Sequence, residues 1–164
     1  AGIALTRQNV PTFPRGEGEA SGDEFASADL AAKGAYVLAD SPTGAVDVIL
    51  IGTGSEVQLA VAAREQLAEQ GIGARVVSAP SLEWFAEQDD AYRESVLPAS
   101  VKARVSVEAG LAMPWRGIVG DAGRSVSIEH FGASADYKTL FQKFGITTEA
   151  VVTAAHETIA AAGA

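Results

Sequence analysis

The stretch from Asp47 to Pro80 limits the possible folds more than any other part of this chain. "DVILIG" (47–52) is an unbroken apolar run, the pattern of a strand buried on both faces. From Ser55 the period changes: Val57, Ala60, Val61, Leu67 and Ala68 share one helical face, with Glu56, Glu65 and Glu69 off it. Ser55 followed by Gln58 reads as a capping box, and Gly71 as the stop. "ARVVSAP" (74–80) is then a second strand. Strand, helix and strand in such close succession predict a βαβ unit with parallel strands and a right-handed crossover.

The rest of the chain extends that alternation. "GIALTR" (2–7) reads as a short strand, "PTFPRGEGEASGDEF" (11–25) as a loop and "AYVLAD" (35–40) as a strand. "WFAEQDDAYRESVL" (84–97) reads as a helix, and "ARVSVEAG" (103–110) and "SVSIEHFG" (125–132) as strands. "DYKTLFQKFG" and "TTEAVVTAAHETIAAAG" close the chain as two helices, the last with Val151, Ala155 and Ile159 on one face. The expected architecture is a single α/β domain over residues 1–164, three-layered, with a mostly parallel sheet and helices on both faces.

Composition narrows the function classes. A net charge of −9 without a basic patch argues against a nucleic-acid partner. No apolar run approaches the ~20 residues that cross a bilayer, so no membrane role is expected. The chain has no cysteine, which removes disulfides and thiolate chemistry and fits a reducing, cytoplasmic setting. It starts at Ala1 without a methionine and enters an apolar segment at once, as a piece of a longer protein would.

Three features invite a functional reading. The turn Gly52-Thr53-Gly54-Ser55-Glu56 follows a strand and opens a helix, as a phosphate-binding loop does. A dinucleotide fingerprint would need a third glycine where Val57 stands, and an acid where the next strand ends in Val77-Ser78-Ala79-Pro80. A P-loop would need a lysine, and none occurs between Lys33 and Lys102. Glu56 adds a negative charge that competes with phosphate. The turn therefore reads as structural.

The histidines are His130, near Glu129, Ser134 and Asp136, and His156 on the last helix. "GASAD" is not a nucleophile elbow, adjacent strand residues point to opposite faces, and no histidine pair has metal-ligand spacing. No catalytic or metal-binding residue is expected here. Arg7 ends the expected first strand, and carboxyl ends of strands are where ligands lie in open α/β sheets. Its guanidinium suits phosphate or carboxylate, although on the residues alone a solvated surface arginine is the favoured reading. The acids Glu17, Glu19, Asp23 and Glu24 read as solvated loop.

Taken in order, "TRQNVP", "GAYVLAD", "ILIGTGSEVQLAVAAREQLAEQGIGARVVSAPSLEWFAEQDDAYRESVLP", "ARVSVEAG", "HFGASA" and "FQKFGITTEAVV" resemble the C-terminal domain of transketolase along nearly the whole chain. The resemblance implies a thiamine diphosphate enzyme of the pentose phosphate pathway that moves a two-carbon ketol unit between ketose and aldose phosphates. It further implies that two preceding domains, absent here, hold the cofactor and a divalent metal (Mg or Ca) across a homodimer interface. No cofactor or catalytic residue is then expected in this chain, which alone would be inactive. One residue carries over: the arginine of the family's Ser/Thr-Arg-Gln motif, here Arg7, would bind the substrate phosphate. Where the family often has proline, this chain has Asp136, which can cap the following helix instead. The competing expectation is a free-standing regulatory module that binds an anion or nucleotide without catalysis. Related thiamine enzymes, the deoxyxylulose phosphate synthases and 2-oxoacid dehydrogenase β chains, share the implied fold.

Overall fold

The computed structural model describes residues 2, 5–20 and 25–163. Five strands form one sheet in the order β1-β3-β2-β4-β5: β1 (Tyr36–Ala39), β2 (Val48–Gly52), β3 (Ala74–Ser78), β4 (Arg104–Val107) and β5 (Arg124–Val126). β2 pairs in parallel with β3 and β4, and β4 in parallel with β5, while β1 joins β3 antiparallel at one edge. The expected βαβ unit is β2, α1 (Val57–Glu69) and β3.

Alternation along β2 explains the layers. Val48 and Leu50 enter one core with Leu67 of α1 and with Val151 and Ala155 of a C-terminal helix (Thr148–Ala162). Ile49 and Ile51 enter a second core on the opposite face, with Phe85, Val96, Trp115 and Val119. Every residue of β2 is buried, so its uninterrupted apolar run is the direct record of helices on both faces. The second face is covered by α2 (Leu82–Ala86), α3 (Asp90–Val96) and α4 (Arg116–Val119). α5 (Tyr137–Phe144) and α6 (Thr148–Ala162) complete the chain.

Three expected elements differ. The helix expected over 84–97 is two helices, because the Asp89 side chain accepts the Tyr92 amide at 2.8 Å and starts a new one. The strand expected over 125–132 ends at Val126; beyond it Glu129 accepts the Ala112 amide at 2.8 Å, so the chain braces a neighbouring loop instead of continuing the ladder. The leading strand expected over 2–7 is not seen where it is described. Leu5 is 85% exposed, and Arg7 and Gln8 lie in a bend, with no strand beside them to pair with. Ile3 and Ala4 of that expectation, and the acids Asp23 and Glu24, lie outside the described residues. Glu17 and Glu19 are exposed, as expected. Asp136 caps α5, accepting the Thr139 amide at 3.0 Å.

Candidate functional site

The register gathers three strand ends at one rim: Gly52 lies opposite Ser78 on one side and Val107 on the other. Tyr36, the first residue of the antiparallel β1, is opposite Ser78 and so reaches the same rim. This carboxyl rim is where an α/β sheet places ligands.

The glycine turn at the end of β2 is shaped by close approach. A Cβ on Gly52 would stand 3.0 Å from the Val57 Cα, so glycine lets α1 start directly against the strand. A 3-10 turn over Gly54–Glu56 leads into the helix. The expected capping box is absent: Gln58 Nε2 donates to the Ser55 carbonyl at 2.9 Å, and the Ser55 hydroxyl is committed elsewhere. It donates to Glu56 Oε2 at 3.1 Å and accepts from Gln8 Nε2 at 3.0 Å.

Glu56 is only 6% exposed. Burial pushes its pKa above the usual glutamate value, and the charge of Glu108 adds to this; its own amide, the Ser55 hydroxyl and the Ala109 amide act in opposition. A buried carboxylate at the mouth of the turn is a misfit for a diphosphate, in keeping with a structural turn. Glu108, just past β4, accepts the indole N–H of the buried Trp115 at 2.7 Å.

Arg7 is exposed at this rim, brought there by Gln8. It does so from a bend and not from a strand end, which corrects the reason for expecting it here. Among the described residues its guanidinium has no hydrogen bond and no ion pair. An unengaged guanidinium at a carboxyl rim can receive an anion.

The histidines do not join this arrangement. His130 is exposed, its ring edge-on to Phe144 at 4.7 Å and its Nδ1 2.8 Å from the Phe131 carbonyl oxygen. Glu129 is spent on the Ala112 amide and the Ser127 hydroxyl, which with the charge of Arg116 hold its pKa below the usual value. His156 is exposed on α6. Among the described residues no group of three His, Cys, Asp or Glu side chains could hold a metal.

Two cavities frame the sheet. One of about 520 Å³ sits at the carboxyl rim against Leu111, Ile128 and Phe131, and Phe131 is 98% exposed. A cavity of about 580 Å³ lies at the other end, by Lys102, Arg104 and Ala122. Arg104 there spends four of its five N–H groups on the carbonyls of Leu97, Pro98, Val101 and Ile118, so its main work is to tie those segments together. The sequence reading missed the Gln8–Ser55–Glu56 contacts and the role of Arg104. Only the adjacency of Gln8 to Arg7 in "TRQN" hinted at the former.

Among the described residues no helix is long and apolar enough to cross a membrane. The family model for the transketolase-like C-terminal domain matches residues 34–147. The transketolase of Mycobacterium leprae is 52% identical over 161 residues, covering 96% of this chain and 22% of the relative. The chloroplastic transketolase of Solanum tuberosum is 47% identical over 156 residues, covering 94% of this chain and 20% of the relative. Among solved structures, transketolase from Leishmania mexicana superposes with a TM-score of 0.75 at 37% identity, covering 89% of this chain and 20% of that one. The Pichia stipitis enzyme in complex with sedoheptulose-7-phosphate gives 0.76 at 34% identity, covering 94% and 20%. This chain thus spans about a fifth of the length of these proteins.

Proposed function

The chain belongs to the transketolase family as its C-terminal domain, and on that premise we propose that it serves a longer enzyme by holding Arg7 for the phosphate of a sugar substrate. The enzyme would transfer a two-carbon ketol unit between ketose and aldose phosphates, in the cytoplasm and as a homodimer. Thiamine diphosphate, whose ylid carbon supplies the nucleophile and electron sink, would be bound with its divalent metal by two domains that precede this one. The residues here do not fit that group: the described part has no metal-ligand cluster, and Glu56 opposes a diphosphate at the glycine turn. Exposed Leu111, Met113 and Phe131 offer an apolar surface for contact with the rest of such an enzyme.

The observation that carries the reading is the guanidinium of Arg7, exposed and without a partner among the described residues, next in the chain to the Gln8 that bonds Ser55 at the carboxyl rim. Arginine binds phosphate through a charged, two-pronged contact, and that binding energy orients the reacting carbonyl at the far end of the sugar. In the full-length protein, Arg7→Ala is expected to raise KM for xylulose 5-phosphate roughly ten- to a hundredfold and KM for unphosphorylated xylulose far less. Equal losses for the two donors would overturn the role of Arg7.

A further inference from the structure

We propose that Gln8 is a positioning residue: the Ser55–Glu56 pair grips its side chain so that Arg7 is presented to phosphate from a fixed backbone. The inference rests on the phosphate-binding reading of Arg7 given above. Its basis is a one-way run of hydrogen bonds. Thr6 donates its hydroxyl to Gln8 Oε1, Gln8 Nε2 donates to Ser55 Oγ at 3.0 Å, and Ser55 donates to Glu56 Oε2 at 3.1 Å.

Each group in this run has a single consistent role. The amide of Gln8 is oriented because its oxygen faces a donor and its nitrogen an acceptor. The Ser55 hydroxyl is oriented because its proton is drawn to a buried carboxylate, which leaves a lone pair for Gln8. Ser55 and Glu56 are 8% and 6% exposed, so the anchor is part of the core rim and not a surface contact. Donors aligned toward an anion in a low-dielectric site reinforce one another.

The residues on either side of Arg7 are therefore both engaged, while Arg7 itself is exposed. Among the described residues of the leading segment, Gln8 is tied to the domain by its side chain and not by strand pairing. An arginine on an unanchored tail would lose backbone freedom each time it met a phosphate. Anchoring it beforehand removes that cost from the binding step.

The test uses the full-length enzyme with Gln8→Leu, Ser55→Ala, Ser55→Thr and Arg7→Ala, measured with xylulose 5-phosphate and unphosphorylated xylulose. Gln8→Leu and Ser55→Ala are expected to raise KM for the phosphorylated donor roughly tenfold, and for the other donor much less. Ser55→Thr, which keeps the hydroxyl, should recover most of the loss. The Arg7→Ala/Gln8→Leu double variant should bind no worse than Arg7→Ala alone, since a positioning residue has nothing left to position. An unchanged KM in Gln8→Leu, beside a phosphate-selective loss in Arg7→Ala, would overturn the positioning role and leave Arg7's role standing. Equal losses for both donors in Gln8→Leu, or additive losses in the double variant, would also overturn it. Equal losses for both donors in Arg7→Ala would remove the phosphate reading itself.

Discussion

Arg75 holds Asp40 with both prongs of its guanidinium, Nε to Oδ1 at 2.9 Å and Nη2 to Oδ2 at 3.0 Å, 35 residues apart in the chain. Nη1 of the same group donates to the Ser95 carbonyl at 2.8 Å, so one side chain of β3 ties the end of β1 to α3. Burial alone would raise the pKa of Asp40. The Arg75 and Ser41 hydrogen bonds, with the charges of Arg75 and Arg64, outweigh it and hold the carboxyl below its usual value. A lowered folded pKa contributes stability above the unfolded value, lost as pH falls through the folded one. Acid unfolding should thus steepen from the ordinary aspartate value of about 3.9 downward, and Asp40→Asn should flatten that slope. With Asp40 half exposed, the substitution should cost no more than about 1 kcal/mol at neutral pH, read from urea denaturation.

Glu56 has the opposite sign. Its folded pKa is raised, first by burial, so the folded state binds the proton more tightly than the unfolded chain does. Stability should fall as pH rises from the ordinary glutamate value of about 4.3 through the raised folded value. Glu56→Gln keeps an acceptor for Ser55 and removes the titration, so its melting temperature should lose this part of the pH dependence. A variant whose profile matched the parent's would show that Glu56 titrates normally.

Arg104 spans four carbonyls with a rigid fork and sits at the ends of two short helices, where a cation is favoured. Arg104→Met should cost about 3 kcal/mol, because it strips donors from those carbonyls in a partly buried site, with the Pro98 carbonyl keeping the Val101 amide at 3.1 Å. Arg104→Lys should recover less than half, since a point charge cannot reach four acceptors at once. Chemical denaturation of the three proteins would settle the order.

Two glycines with positive φ provide a paired comparison. At Gly34 (φ +84) a Cβ would stand 2.2 Å from the Phe85 amide nitrogen and 2.4 Å from the Ser81 oxygen. At Gly71 (φ +77) it would meet nothing within 4 Å. Gly71→Ala should therefore cost only the conformational penalty of about 1 kcal/mol. Gly34→Ala should cost at least twice that, because the backbone of α2 would have to move. Equal costs would mean that the loop before β1 yields freely.

What could be read in advance followed from burial. The apolar run of β2, the buried Val57, Ala60, Val61 and Leu67 of α1 and the Asp136 cap each have a local cause, and each is found in the fold, whereas Glu56, expected off that face, is buried. What was misread depended on partners far along the chain. Leu5 and its neighbours have strand-like residue types, yet no strand edge lies beside the described part of that segment. Ser55 and Gln58 have capping-box spacing, but Gln8, 47 residues away, and Glu56 compete for the same hydroxyl. Arg7 was expected at a strand end and lies in a bend. A bend held by side chains leaves no periodicity to detect.

The strand order β1-β3-β2-β4-β5 also has a consequence for synthesis. After β2 and α1 have left the ribosome, β3 adds to one side of β2, β4 to the other, and β5 to the outside of β4. No later strand has to wedge between two that are already joined, so the sheet can grow outward in the order in which it is translated. Only β1 must wait, made first and docked after β3. A vectorially growing domain keeps its unpaired edges few and brief, which suits a sheet whose parallel ladders are slow to find one another.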